Sequence, residues 1–232
     1  MFSWTGFYAG AQIGYAWGDN NGTIAYATPG GLLGDPSLGH DAQGVIGGAH
    51  AGYNYQIDKF VIGVEGTVDP TTLDRNVLLL GPDGLADPLN QYGIGNTVNG
   101  SVQSTIQGAI RARAGYAFDR LLIYGTGGVA FAAFKSYFQL YGVDVNLSPF
   151  DASDTRSSSR VGWTAGGGVE YAINNNWSVF GEYRYSDFGH LTDVPAIASG
   201  LTYTADRHLT QNQVQAGLSY KFAPPPPVVA KY

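Results

Sequence analysis

The chain has no cysteine, which excludes a disulfide framework, a thiolate metal site and a cysteine nucleophile. It is also short of charge, with only 13 % Asp, Glu, Lys and Arg among its 232 residues, about half of what ordinary soluble domains carry. Long apolar runs are missing as well. Gly, Ser, Thr, Asn and Gln interrupt every apolar stretch before the roughly 18 residues that a membrane-crossing helix needs. Basic excess is lacking too: 18 acidic residues against 12 basic give a formal charge of −6, which argues against nucleic acid as a partner, because that binding needs a basic face. The opening MFSWTGFYAG has neither the basic nor the apolar segment of an export signal, so a leader is expected to have been removed already.

What the chain does have is glycine and aromatics. Gly accounts for 34 residues, about twice average usage, beside 16 Tyr, 11 Phe and 4 Trp. Such a mixture suits strands that expose alternate residues to two different solvents. A period of two recurs along the chain. Phe7 to Trp17 sets apolar odd positions against small or polar even ones, and Val45 to Tyr55 repeats the pattern. Phe60, Ile62 and Val64 alternate with Val61, Gly63, Glu65 and Thr67 in a third strand. Ile106 to Tyr116 is a fourth, Val161 to Tyr171 a sixth, Trp177 to Tyr185 a seventh and Gln213 to Phe222 an eighth. The fifth, beginning LLIYGTGGVAFAAF after Asp119 and Arg120, is apolar on both faces, so its register stays open.

Connections alternate between short turns near residues 56, 119 and 175 and long polar segments of roughly 20 to 30 residues. An even number of strands of about 9 to 11 residues, with short turns on one side and long loops on the other, is the signature of an outer-membrane barrel. Closure is required, because an open sheet edge in lipid would leave backbone N–H and C=O groups unpaired. The expected fold is therefore an all-β, eight-stranded antiparallel up-and-down transmembrane β-barrel over residues 1–222, with short periplasmic turns and long external loops. Residues 223–232, with four consecutive prolines, cannot extend a strand ladder and are expected to form an extended tail.

Charge placement is a partly independent check, because the strands are assigned from apolar alternation. Glu65, Glu170 and Glu182, the three glutamates of the chain, fall on the non-lipid faces of their strands, as do Arg111, Arg113, Arg184 and Lys221. In a narrow lumen these charges should pair. Counting up from the short turns puts Glu65, Arg113 and Glu182 at similar heights, with His50 in the same layer. Thirteen of the fifteen Asp lie in or beside the long connections, which makes the external rim acidic. That rim is read as solvated; divalent cations bridging lipopolysaccharide phosphates are the alternative, without calcium-loop spacing to support them. Tyr8, Tyr15, Tyr53, Tyr55, Tyr116, Trp163, Trp177, Tyr183 and Tyr220 are expected in aromatic girdles at the two interfaces.

The segments FSWTGFYAGAQIGYAWG, FVIGVEG, IRARAGYAFDRLLIYGTGGVAF, WTAGGGVEYAI and VQAGLSYKF together resemble the alphaproteobacterial outer-membrane immunogenic proteins, a porin-like family of small β-barrels. The resemblance covers all eight strands and little of the loops. It implies residence in the bacterial outer membrane among lipid and lipopolysaccharide. It also implies recognition of the last strand by the barrel-assembly machinery, through Val214, Leu218, Tyr220 and Phe222. Members are described as structural envelope proteins, surface antigens, adhesins and, in some cases, haemin binders or peptidoglycan-anchored proteins.

Other motifs carry little. The glycine runs Gly125–Gly128 and Gly166–Gly168 are not followed by the Lys-Ser/Thr of a phosphate loop. His40, His50, His190 and His208 lack metal-ligand spacing, and no GxSxG elbow exists, so neither a metal site nor an enzyme is expected. Three readings of function remain: a structural, surface-recognition barrel with a closed lumen; a haemin-binding or small-solute conduit; and a soluble β-sandwich or lectin. For haemin, His40, His190, His208, Tyr92 and Tyr203 are the residues that could supply an axial ligand, although nothing in their spacing demands it. Without haemin, no cofactor is expected. Host surface molecules and peptidoglycan are the further partners the resemblance suggests.

Overall fold

A computed structural model describes residues 2–18, 22–28, 31–32, 42–71, 74–79, 97–143, 149–193 and 202–222. Eleven strands are described: β1 (Gly6–Gly18), β2 (Gly22–Thr28), β3 (Gly31–Leu32), β4 (Ala42–Ile57), β5 (Phe60–Pro70), β6 (Asp74–Leu79), β7 (Thr97–Phe118), β8 (Leu121–Val143), β9 (Pro149–Ala172), β10 (Trp177–Asp193) and β11 (Thr202–Lys221). Eight of them form a closed antiparallel barrel, in the order β1-β4-β5-β7-β8-β9-β10-β11, with β11 returning to β1. The closing pairs run from Tyr8↔Lys221 to Trp17↔Asn212. No barrel strand has a free edge over its membrane-crossing length, which is what a sheet in hydrocarbon requires.

Three tight connections gather at one end, and two of them need a left-handed residue. Asp58 and Asp119 each take φ 54°, a conformation that Asp tolerates better than most residues. The third connection spans Asn174 to Asn176, where Asn174 Oδ1 accepts from the backbone N–H of Asn176 at 2.9 Å and of Trp177 at 2.8 Å. At the opposite end the strands run on beyond a membrane's thickness. β2, β3 and β6 lie in segments expected to be loops: β2 continues the sheet along β11, β3 follows β2, and β6 pairs with β7. In the sequence they sit inside the long polar connections, and it is strand pairing that reveals them. The tail 223–232 lies outside the described residues.

The outward face carries the apolar residues. Ile13, Val45, Ile62, Val64, Ile110, Val169, Val179 and Leu218 are all exposed. Toward the turn end Phe7, Phe60, Phe118, Trp177 and Phe222 form a band, and Tyr15 and Trp163 stand toward the other. Tyr8 is an exception to the expected girdles, because it is buried and points inward. Its even-numbered position puts it on the face of Gln12, which is also buried. The open register of the fifth strand resolves with Leu121, Ile123, Val129 and Phe131 outward and Leu122, Tyr124, Thr126, Ala130 and Ala132 inward.

The inside has an apolar floor at the turn end. Trp4, Val61, Ala117, Leu122, Tyr124 and Ala172 pack together, with Phe2 against them. The segment before β1 is held there by hydrogen bonds. Trp4 N–H donates to Gln56 Oε1 at 2.7 Å and its indole Nε1 to the Asp119 carbonyl at 3.1 Å, while Phe2 N–H donates to Asp119 Oδ1 at 3.0 Å.

Candidate functional site

The middle of the lumen is filled by side chains from all eight barrel strands, and its chemistry is ionic. Because side chains alternate across a strand, Arg111 and Arg113 on β7 point inward together, as do Glu182 and Arg184 on β10. Arg111 is the hub. One terminal nitrogen pairs with Glu65 Oε1 on β5, and the other donates to Glu182 Oε1 at 2.5 Å and to Thr126 Oγ1 at 3.1 Å. Arg113 pairs with Glu170 on β9 and stands 3.8 Å from Glu65 Oε2. Its guanidinium lies over the Tyr124 ring, 3.7 Å from the centroid, a placement that favours a cation through the ring quadrupole.

Each carboxylate has further donors. Tyr8 O–H donates to Glu65 at 2.8 Å, Ser178 to Glu170 at 2.5 Å and Tyr124 to Glu182 at 3.1 Å. Gln215 Nε2 also donates to Glu182 at 3.0 Å. Arg184 carries the chain further, donating to Glu182 Oε1 at 3.2 Å and to Asp69 Oδ2 at 3.4 Å. A buried charge is costly unless paired and hydrogen-bonded, and this connected arrangement is what makes the charges tolerable here.

His50 joins by neutral bonds. Gln12 Nε2 donates to Asp69 Oδ1 at 2.6 Å, which turns the amide oxygen of Gln12 to His50 Nδ1 at 2.5 Å. The proton of the imidazole is therefore placed on Nδ1, leaving Nε2 to accept from Ser219 Oγ at 2.9 Å. Two glycines make room for these rings. A Cβ at Gly52 would stand 2.5 Å from the Tyr8 hydroxyl oxygen, and one at Gly10 would stand 2.6 Å from His50 Cε1.

Of the residues expected in the lumen, Glu65, Arg111, Arg113, Glu170, Glu182, Arg184 and His50 are brought together, but Lys221 is not. Lys221 lies half-buried at the turn-end mouth, where its ammonium donates to the Ser3 carbonyl and sits 4.0 Å from the Phe2 ring centroid. The last position of β11 is simply too far down the barrel to reach a carboxylate of the hub. Heights counted from the turns also mislead about partners. It is Arg111, not Arg113, that bridges Glu65 and Glu182, because the strands of a closed barrel are staggered by its shear. Asp69, Tyr8 and Tyr124 belong to the network without having been expected there. The parity of Asp69 with Glu65 and Thr67 on β5 is the signal that would have found it.

In the last strand Val214, Leu218 and Phe222 are exposed on the outside and Tyr220 is partly buried. Among the residues named for haemin, His190 and His208 stack in register on β10 and β11 with ring centroids 4.7 Å apart, and His208 Nε2 lies 3.0 Å from Asp187 Oδ1. His40 and Tyr92 fall outside the described residues, as does the side chain of Tyr203. No group of three or more metal-ligating side chains occurs among the described residues.

A family model described as an outer membrane protein beta-barrel domain matches residues 3–222. The 31 kDa outer-membrane immunogenic protein of Brucella melitensis biotype 1 is 35% identical over 226 residues, which cover 95% of this chain and 85% of that protein. The 22 kDa outer membrane protein of Rhizobium leguminosarum bv. viciae is 29% identical over 222 residues, covering 95% of this chain and 79% of that one. Among solved structures, the outer membrane protein OprG from Pseudomonas aeruginosa superposes with a TM-score of 0.59 at 14% identity, with 96% of this chain and 99% of that chain covered. That last likeness is one of fold.

Proposed function

Since the chain belongs to the outer membrane protein β-barrel family and resides in the bacterial outer membrane, we propose that it is a structural barrel with a closed lumen, supporting the envelope and presenting its external strands and loops for recognition as a surface antigen or adhesin. The observation that supports this reading most directly is the luminal network. Arg111, Arg113 and Arg184 interlock with Glu65, Glu170, Glu182 and Asp69 across the barrel. An eight-stranded barrel leaves an interior that side chains can fill, whereas water-filled channels belong to barrels of about 16 strands. Partners in this reading are outer-membrane lipid and lipopolysaccharide around the wall and host surface molecules or peptidoglycan beyond it.

Planar-bilayer recording of the refolded monomer tests it. Little steady conductance is expected. Stable, ohmic, ion-selective conductance would transfer the case to a small-solute conduit, and saturable haemin binding would favour that alternative in its haemin form.

Assembly is the second part of the proposal, with Val214, Leu218, Tyr220 and Phe222 read by the barrel-assembly machinery. Deleting residues 223–232 is expected to leave refolding in detergent unchanged, because a proline-rich tail adds no strand pairing. Removing Phe222 as well should lower the amount assembled in cells while affecting purified refolding less, since only its backbone N–H, donated to the Phe7 carbonyl at 2.9 Å, is lost from the closing ladder. The check is a comparison of unboiled and boiled gel mobility for both truncations, in cells and after refolding. Loss of the unboiled shift on deleting 223–232 alone would show that the tail packs as structure.

A further inference from the structure

Outside the bilayer the sheet is no longer closed. The pairing of β9 with β10 stops at Trp163↔Asp187, about one crossing length, roughly 9 to 11 residues, from the turn end of β9. Its pairing with β8 runs on without a shift of register to Val143↔Pro149. From Pro149 to Gly162, therefore, β9 has a strand neighbour on one side only among the described residues. In an antiparallel ladder alternate residues direct their N–H and C=O groups to opposite sides, so half of those groups along this stretch face away from β8. Natural proteins blunt such an edge with bulges, prolines, lysines or short strands. Between Phe150 and Gly162 there is no proline, no lysine and no bulge against β8, and Ser153, Thr155, Ser157 and Ser159 are exposed.

The charges on this edge complement themselves. It reads FDASDTRSSSR from Phe150 to Arg160. Groups that face the open edge belong to residues of one parity, so a strand laid antiparallel against its own copy turns about a residue and not between two. Centred on Thr155, that register puts Asp154 of each copy opposite Arg156 of the other, Ser153 opposite Ser157, and the two threonines opposite each other. Opposite charges and hydroxyl pairs directly across are favourable cross-strand combinations. Strand direction then fixes where the second copy sits. β9 runs from its external end toward its own membrane, as the β9 of any neighbour in that membrane also does. An antiparallel copy runs toward a membrane on the other side.

We propose that the external edge of β9 is a self-recognition surface, which pairs antiparallel about Thr155 with the β9 of a second copy of this chain in an apposed outer membrane. Main-chain hydrogen bonds supply the attraction, as in other cases of strand addition to an open edge, and the two Asp154–Arg156 crossings set the register. The contact is isologous, with the same patch on both copies. Such a role rests on the reading of the external strands as a recognition surface and names the partner. It is independent of the lumen, so ion conductance and membrane apposition are separate outcomes.

The experiment reconstitutes the full chain into two populations of phosphatidylcholine vesicles with different fluorescent labels and counts particles that carry both colours, with empty vesicles as background. Wild-type vesicles are expected to cluster. Asp154→Arg and Arg156→Asp, each alone, turn both crossings from attraction to repulsion and should lower clustering by about tenfold. Mixing Asp154→Arg vesicles with Arg156→Asp vesicles should restore it, because both crossings are then again of opposite sign. Retention of the unboiled gel shift shows that each variant is folded. Since the chain has no cysteine, Thr155→Cys gives a second reading: under mild oxidation it should cross-link to its own copy, whereas Ser159→Cys, four residues from the axis, should not. Wild-type vesicles that cluster no more than empty ones, single reversals that cluster like wild type, or mixed reversals that stay apart would overturn the proposal. Should the reversals not fold, equal cross-linking at the two cysteine positions would overturn it as well.

Discussion

Replacing Arg111 by Ala is expected to destabilise the folded barrel by about 3 to 5 kcal/mol, the range for breaking a buried ion pair from one side. The side chain is 1 % exposed and stands between Glu65 and Glu182, so its loss leaves two buried carboxylates facing a void with no cation between them. Their other donors blunt the effect without cancelling it. Glu182 keeps Arg184, Tyr124 and Gln215, whereas Glu65 keeps the Tyr8 hydroxyl and Arg113 at 3.8 Å. Combining Arg111→Ala with Glu182→Gln should cost less than the sum of the two, because the second change removes the charge that the first one orphaned. A coupling of about 0.5 to 3 kcal/mol is expected for groups in one network. Arg113 should behave in the same way with Glu170, with which it pairs, and not with Glu182. Urea midpoints of the unboiled band, measured for the two singles and the double, give the cycle. Additive changes below about 1 kcal/mol would place these charges in water, as in a pore wall, and not in an interlocked lumen.

The parts of this fold that could be read from the sequence are those where two solvents meet. Between hydrocarbon and a polar lumen, alternate residues differ in kind, so β1, β4 and β5 announce themselves through pairs such as Val64 and Glu65. Where both faces see the same medium the pattern vanishes. Ser153, Thr155, Ser157 and Ser159 on the external half of β9 are all exposed, and polar residues at every position look like a loop until strand pairing is known. β8 fails for the opposite reason: Leu122 in the floor and Ala130 and Ala132, buried with Ala109 and Phe188 nearer the external end, make its inward face apolar. Parity put Glu65, Arg111, Arg113, Glu170, Glu182 and Arg184 in the lumen, while Asp69 was passed over and Lys221 lies too far toward the turn end; which of them touch depended on barrel shear, a property of the closed sheet and of no single strand. Tyr8 shows the limit of residue type as a guide. A tyrosine suits an interfacial belt and a lumen equally well, and only its parity with Gln12 separates the two.

Substituting Val64 by Arg, one residue from Glu65, should cost about 2 to 4 kcal/mol in lipid. The two neighbours sit on opposite faces of β5, and Val64 is 53 % exposed where Glu65 is 7 % exposed. Its cross-strand partners are Tyr53 on β4 and Ala112 on β7, and it lies midway between Phe60 at the turn end and Val68 above. A guanidinium there has no luminal carboxylate to meet, because reaching one would require the strand to slip by one residue and turn its whole apolar row inward. Snorkelling is the remaining route, and it is least effective at mid-membrane depth. The same substitution at Val161, near the outer boundary and 64 % exposed, should cost about 0 to 1 kcal/mol. Equilibrium unfolding of both variants in lipid vesicles, by tryptophan fluorescence against denaturant, separates the outcomes. A gradient with depth is what a hydrocarbon-facing wall requires. Equal, small costs at the two positions would mean that this face of β5 meets water.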